Sequence, residues 1–436
     1  MPLKSPKTKK DRAAFHLFWV SAAFLALSYG VFAGMFQLFP YGLFASAVQG
    51  YQELRGTAGP TATNWYYKHV RPPAPPPIAN TGRAQPGLNL VTQIEGDALC
   101  VKVMDLDGKT VHRWAIDWWQ IWPDAQHLPD RLVPRSKPGT HVNGATLLDN
   151  GDLVFNFEHL GLVRLDPKGV VVWRLPYQTH HSVRRGDDGN LWVCGQKERT
   201  EPLPGLPSLA PPFVEDMVLV VSPDGKVLKE WSVPELLRAN GRQGLLCLAN
   251  QDNFSTAASG DVTHLNHVEP FPNSLQAAFF KPGDVLLSLR NINTVLVFDS
   301  RTGAIKFACT GLFVRQHDPH FVDGNTLSVF YNNCVGAPGE SSQSRIAFIT
   351  APDQVVKTYF GGTPSHPFFS PILGRHQWLA NGNLLITDSC AGRAFEIDRK
   401  LEVVWWYINY VDAETVGAIE QVERIPADVA TRFRAH

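Results

Sequence analysis

The chain has 436 residues, room for one large domain or two to three small ones, and its 44% apolar, 18% charged composition is globular with a sizeable core. Forty basic side chains balance forty acidic ones, so no electrostatic footprint points to a nucleic-acid partner. The 33 prolines and 35 glycines, spread along the chain, argue for many turns and short elements.

Residues 1–14 form a basic tail carrying Lys4, Lys7, Lys9, Lys10 and Arg12. No Asp, Glu, Lys or Arg then occurs before Glu53, and residues 15–39 are almost wholly apolar. Twenty-five helical residues rise roughly 37 Å, enough to cross a hydrocarbon core of about 30 Å. The positive-inside rule leaves the tail in the cytoplasm and carries the rest across the lipid bilayer. A cleaved signal peptide is the rival reading, with Ala45, Ser46 and Ala47 suited to a peptidase, but the apolar run exceeds the usual signal core of about 7–15 residues. Residues 40–86 read as a Pro-rich tether whose stretch from Arg71 to Pro77 favours stiff polyproline II. Trp65, Tyr66 and Tyr67 suit either lipid headgroups or the face of the following domain.

Residues 87–436 carry a repeat: a histidine, a Gly turn flanked by Asp or Asn, an apolar strand, a second strand, a second turn and a closing Val- and Trp-rich strand. The copies begin at His141, His180-His181, Asn266-His267, Gln316-His317 and Arg375-His376. Their turns include Asn150-Gly151-Asp152, Asp188-Gly189-Asn190, Pro282-Gly283-Asp284, Asp323-Gly324-Asn325 and Asn381-Gly382-Asn383. Asp-Gly and Asn-Gly between apolar runs signal hairpins. Recurrence every 40 to 60 residues with four short strands per unit is the pattern of a β-propeller. Leu88–Trp114 supplies a further outer hairpin without the leading half, and Ile419–Ile425 is the candidate to complete it. The expected fold is therefore all-β, a six-bladed β-propeller preceded by one transmembrane helix. A seventh blade would need a cryptic unit within residues 235–264.

The first strand of a propeller blade lines the central channel. His141, His181, His267, His317 and His376 all precede such strands, which places five imidazoles on one ring. Alternation within Leu286–Arg290 puts Ser288 and Arg290 on a common face, and an arginine among imidazoles makes an anion site. His317 and His320 share a face only if Pro319 bends the strand. Six cysteines without a CxxC pair give no metal or redox motif, leaving buried thiols or one or two disulfides. No metal is assigned.

The segments His180-His181 with Asp188-Gly189-Asn190, Asn266-His267 through Ser288-Leu289-Arg290-Asn291, and Arg315-Gln316-His317-Asp318 resemble the cofactor-independent arylsulfotransferases of the bacterial periplasm. The resemblance spans about residues 88 to 430 and implies a six-bladed propeller that moves a sulfuryl group from a phenolic sulfate ester to a phenol acceptor, with no cofactor. It implies His317 as the nucleophile that becomes sulfohistidine. His267 and Arg290 would hold the sulfuryl oxygens and steady the leaving phenolate, and His181, or else His180, would complete the pocket. Family members are commonly soluble and periplasmic; the apolar segment here departs from that and leads to the expectation of a periplasmic propeller anchored to the inner membrane. Asn291 departs from the family, which often carries histidine after the arginine, and the closely spaced cysteines of some members have no counterpart. The alternative reading is a catalytically inactive propeller serving as a scaffold or binding subunit of a membrane complex.

Overall fold

A computed structural model of the protein describes residues 9–36, 38–39, 67–69, 75–249, 257–334, 343–364 and 366–434. Two compact units result, Met1–Asn64 and Trp65–His436. Residues 1–8 of the basic tail, and 40–66 and 70–74 of the tether with Trp65 and Tyr66, lie outside the described residues.

The first unit contributes one helix, Lys9–Phe36. Its stretch Arg12–Phe36 is long and apolar enough to cross a membrane, by length and composition. Side chains such as Phe24 and Leu25 are exposed, as expected of a helix whose apolar surface extends all round.

The second unit is a ring of six antiparallel blades. Five of the blades carry a histidine at the inner edge and take their names from it. The His141 blade runs outward through Val142–Leu147, Leu153–Phe157, Gly161–Leu165 and Val171–Leu175. The inner strands of the next four blades are Thr179–Arg185, Leu265–Pro270, His317–Phe321 and Arg375–Trp378. Middle strands such as Leu153–Phe157 are wholly buried between neighbouring blades, whereas the outermost, such as Val227–Ser232, are largely exposed. The turns obey local chemistry. Gly151 takes φ +89° and Gly189 φ +78°, while the Asn150 and Asp188 side chains accept from the backbone two residues on.

The ring closes with residues from both ends of the domain. Ile419–Ile425 forms the inner strand of the closing blade and pairs with Leu88–Glu95, Ile425 opposite Leu88. This confirms six blades. Within residues 235–264 the described residues hold the rest of a short helix, Val233–Ala239, a 3-10 turn at Gln243–Ala249, and a strand, Ala258–Gly260, added to the His181 blade. No cryptic blade is found among them. Ile78–Asn80, within the tether, adds a fifth strand to the His376 blade, next to Val403–Ile408. Cys100, Cys194, Cys247, Cys309 and Cys390 are free thiols, so no disulfide joins any of them.

His141 bolts the closing blade to its neighbour. Its Nδ1 lies 2.8 Å from Glu420 Oε1, and its Nε2 is bonded to Glu158. Burial alone would lower the imidazole pKa, but the two carboxylates raise it to about 10, so the ring is a doubly donating cation. A group whose folded pKa is raised contributes fully below its unfolded value of about 6.5, and the contribution is lost as pH rises through about 10. The wild-type thermal midpoint should therefore fall across that window. His141→Gln should be destabilised by roughly 3–5 kcal/mol at neutral pH and show a flatter dependence. A variant whose midpoint tracks the wild type over the whole range would remove the bolt.

Candidate active site

The channel-lining strands do not run straight. Register shifts fall between Val142 and Ala145, His180 and Val183, Leu265 and His267, and His317 and His320. His181 (φ +51°) and Asp318 (φ +45°) take left-handed backbone within two of these bulges, and His264 (φ +52°) and Arg315 (φ +58°) take it just before the last two strands. Bulges of this kind re-aim side chains. Here they sort the channel groups into two tiers, one around His317 and one around Asp318.

In the first tier, His317 is fixed by its partners. The Asn332 side-chain NH2 donates to the carbonyls of Ser370 (2.9 Å) and Leu373 (2.7 Å), which turns Asn332 Oδ1 toward His317 Nδ1 at 2.8 Å. The Arg315 carbonyl also lies 3.0 Å from Nδ1. Two acceptors at Nδ1 require it to carry the proton. Nε2 is then left with its lone pair, and it is buried with no hydrogen-bond partner. Burial and the Arg290 charge push the His317 pKa down to about 3, so the ring stays neutral at physiological pH.

His181 stands beside it, ring centroids 6.1 Å apart, and His264 stands 5.0 Å beyond His181. Asn143, Asn156 and Arg375 hold the His181 backbone. Gly144 permits the approach, because a Cβ there would lie 2.1 Å from the His181 carbonyl. His180 Nδ1 contacts His181 Nδ1 at 2.9 Å, and His159 stacks behind His180 at 4.9 Å. His181 and His317 line a small cavity together with Asn143, Asn266, Asp318 and Arg375.

His264 is bonded through Nδ1 to Asp261, and its buried Nε2 has no partner. An imidazole oriented by a carboxylate on one nitrogen and bare on the other is the arrangement of a general acid–base. Burial and Arg290 hold its pKa below the usual value. Among the described residues the Arg290 guanidinium makes one hydrogen bond, Nε to Asn291 Oδ1 at 3.3 Å. Asn291 also accepts from Arg315 and donates to the Asp261 carbonyl at 2.7 Å. The residue that departs from the family pattern thus aligns two arginines.

His267 lies in the second tier. Asp318, 2% exposed, is met there by His320 Nε2 at 3.0 Å, Arg184 at 3.1 Å, His267 Nδ1 at 3.3 Å and His376 Nδ1 at 3.5 Å. The His376 backbone N–H also donates to it at 2.7 Å. Burial would raise the Asp318 pKa, but the His320 charge and these bonds keep it well below the ordinary carboxylate range. His320, between Asp318 and Glu269, is raised to about 9 against the opposing effect of burial. Of the expected site residues, then, the structure brings His317, which feels the Arg290 charge, together with His181, and puts His267 on the Asp318 side. Sequence reasoning missed His264, Asp261 and Asn332. The only available signal was the Thr263-His264-Leu265-Asn266-His267 run, which holds a second histidine.

The chain matches the family model described as Arylsulfotransferase (ASST) over residues 144–410, and it belongs to that family. No curated protein matches it. Among solved structures, a protein of unknown function from Bacteroides caccae is similar at 13% identity and TM-score 0.47, covering 78% of this chain and 98% of that one. Virginiamycin B lyase from Staphylococcus aureus is similar at 11% identity and TM-score 0.37, covering 80% and 90%.

The His317–Arg290 coupling is open to measurement. Arg290→Gln removes a like charge and should raise the His317 pKa, read from imidazole 15N shifts against pH. An unchanged titration would show that the Arg290 charge does not reach the ring.

Proposed function

We propose that the protein transfers a sulfuryl group from a phenolic sulfate ester to a phenol acceptor through a sulfohistidine at His317. One observation carries the reading: His317 presents a buried, unpartnered Nε2 lone pair, its tautomer set by Asn332. Neutral imidazole is the nucleophilic form. Its Nε2 attacks sulfur, the S–O bond to the phenolic oxygen breaks, and the electron pair leaves on that oxygen. The phenolate leaves with that pair and takes its proton from solvent, because neutral His264 holds its one proton on the Asp261 side; the proton His264 gains in the second half-reaction returns to solvent. Arg290 and His181 face the sulfuryl oxygens and offset the charge that grows there. In the second half-reaction His264 takes the proton of the acceptor phenol, whose oxygen attacks sulfur and frees His317.

The apolar helix and the preceding basic residues support an inner-membrane anchor with a cytoplasmic tail and a periplasmic propeller. A chain kept in the membrane in its mature form would exclude the cleaved-signal reading.

Intact-mass measurement after mixing with an aryl sulfate should show an adduct of one SO3, absent in His317→Ala. His264→Ala should lower kcat by about 10²–10⁴-fold while still forming some adduct. A folded wild type that forms no adduct and releases no phenol from a range of aryl sulfates would favour the scaffold reading.

A further inference from the structure

The second tier contains groups that the transfer reaction does not use. His267 is 1% exposed, and both of its ring nitrogens face carboxylates. Asp318 Oδ1 lies 3.3 Å from its Nδ1, and Glu269 Oε2 lies 3.7 Å from its Nε2. His320 stands edge-to-face against His267 at 5.2 Å, with Nδ1 3.2 Å from the same Glu269 oxygen and Nε2 3.0 Å from Asp318 Oδ2. Asp318 therefore backs both imidazoles, one through each oxygen. His320 Nδ1–H donates to Glu269, which His267 Nε2 also faces, and a divalent cation would take the place of that proton among the three atoms.

We propose that this half of the channel is a divalent transition-metal site, with His267 Nε2, His320 Nδ1 and a Glu269 oxygen as protein ligands. The three residues offer one ligand atom each within 4.8 Å of one another. Ligands at about 2.0–2.2 Å from a tetrahedral ion stand roughly 3.3–3.5 Å apart, and the separations to Glu269 are 3.2 and 3.7 Å. Two imidazoles and one carboxylate suit zinc, cobalt or iron rather than calcium or magnesium. Asp318 supplies the outer carboxylate that fixes the tautomer and orientation of metal-bound histidines. Glu269 also lines a cavity of about 190 Å³ together with Arg184, Glu423 and Asp187. Glu269 and His320 are 14% and 11% exposed, so an ion has a route in. Arg184 contacts His320 at Nε2, the opposite edge of the ring from Nδ1.

The full chain in detergent, without an affinity tag, should be stripped with chelator and titrated with CoCl2 and with ZnCl2. The expected result is one equivalent bound, visible d–d absorption with cobalt, and bleaching of that band by zinc. Glu269→Gln, nearly isosteric, should weaken binding by at least about 10-fold, and His317→Ala should not. Absence of saturable binding, or equal affinity in folded Glu269→Gln, would overturn the assignment. The readout is binding alone, so its failure leaves the sulfuryl-transfer reading standing.

Discussion

A carboxylate taken out of water is tolerated only among donors and cations, and Asp318 lies at the axis of a closed ring of sheets. Three histidines and two arginines, drawn from the blades of His181, His267, His317 and His376, gather around it. Those groups are thereby committed. His317 and His264, which do not reach Asp318, each keep a buried Nε2 without a hydrogen-bond partner. The division of the channel into a neutral, nucleophilic tier and an ionised tier follows from where this one charge is buried.

The two tiers are adjacent in sequence as well as in space. His317 and Asp318 are consecutive, and the left-handed conformation at Asp318 directs them to different neighbours. The same division holds on the preceding blade, where His264 faces His181 and His267 faces Asp318. Histidines with the same local sequence environment consequently behave differently. His317 is kept neutral by burial and Arg290, and His320 is kept charged by Asp318 and Glu269.

The blade count and the closing strand were legible because they rest on local signals. Turn chemistry at Asn150-Gly151 and Asp188-Gly189 and apolar alternation mark every copy, and Ile419–Ile425 was the strand left over. The sorting of the histidines was not legible. Side-chain parity can be counted only along an unbroken strand, and a bulge resets it, so counting from the repeat selected His267 and passed over His264. The groups that set tautomers and charges, Asn332, Glu158 and Glu420 among them, are distant in sequence and carry no motif. His141 and His376 had position but no assignment. The structure shows one as the bolt of the ring closure and the other as a backbone donor to Asp318.

Because the closing blade takes its innermost strand from Ile419–Ile425, the ring stays open until those residues, more than 300 positions after Leu88–Glu95, have been synthesised. Contacts this distant in sequence form slowly, and until they form, the inner edge of Leu88–Glu95 is an unpaired strand able to recruit another chain. A newly made molecule therefore passes through a stage in which most blades exist but the channel is not sealed. During that stage the unpaired edge is where another chain can add a strand.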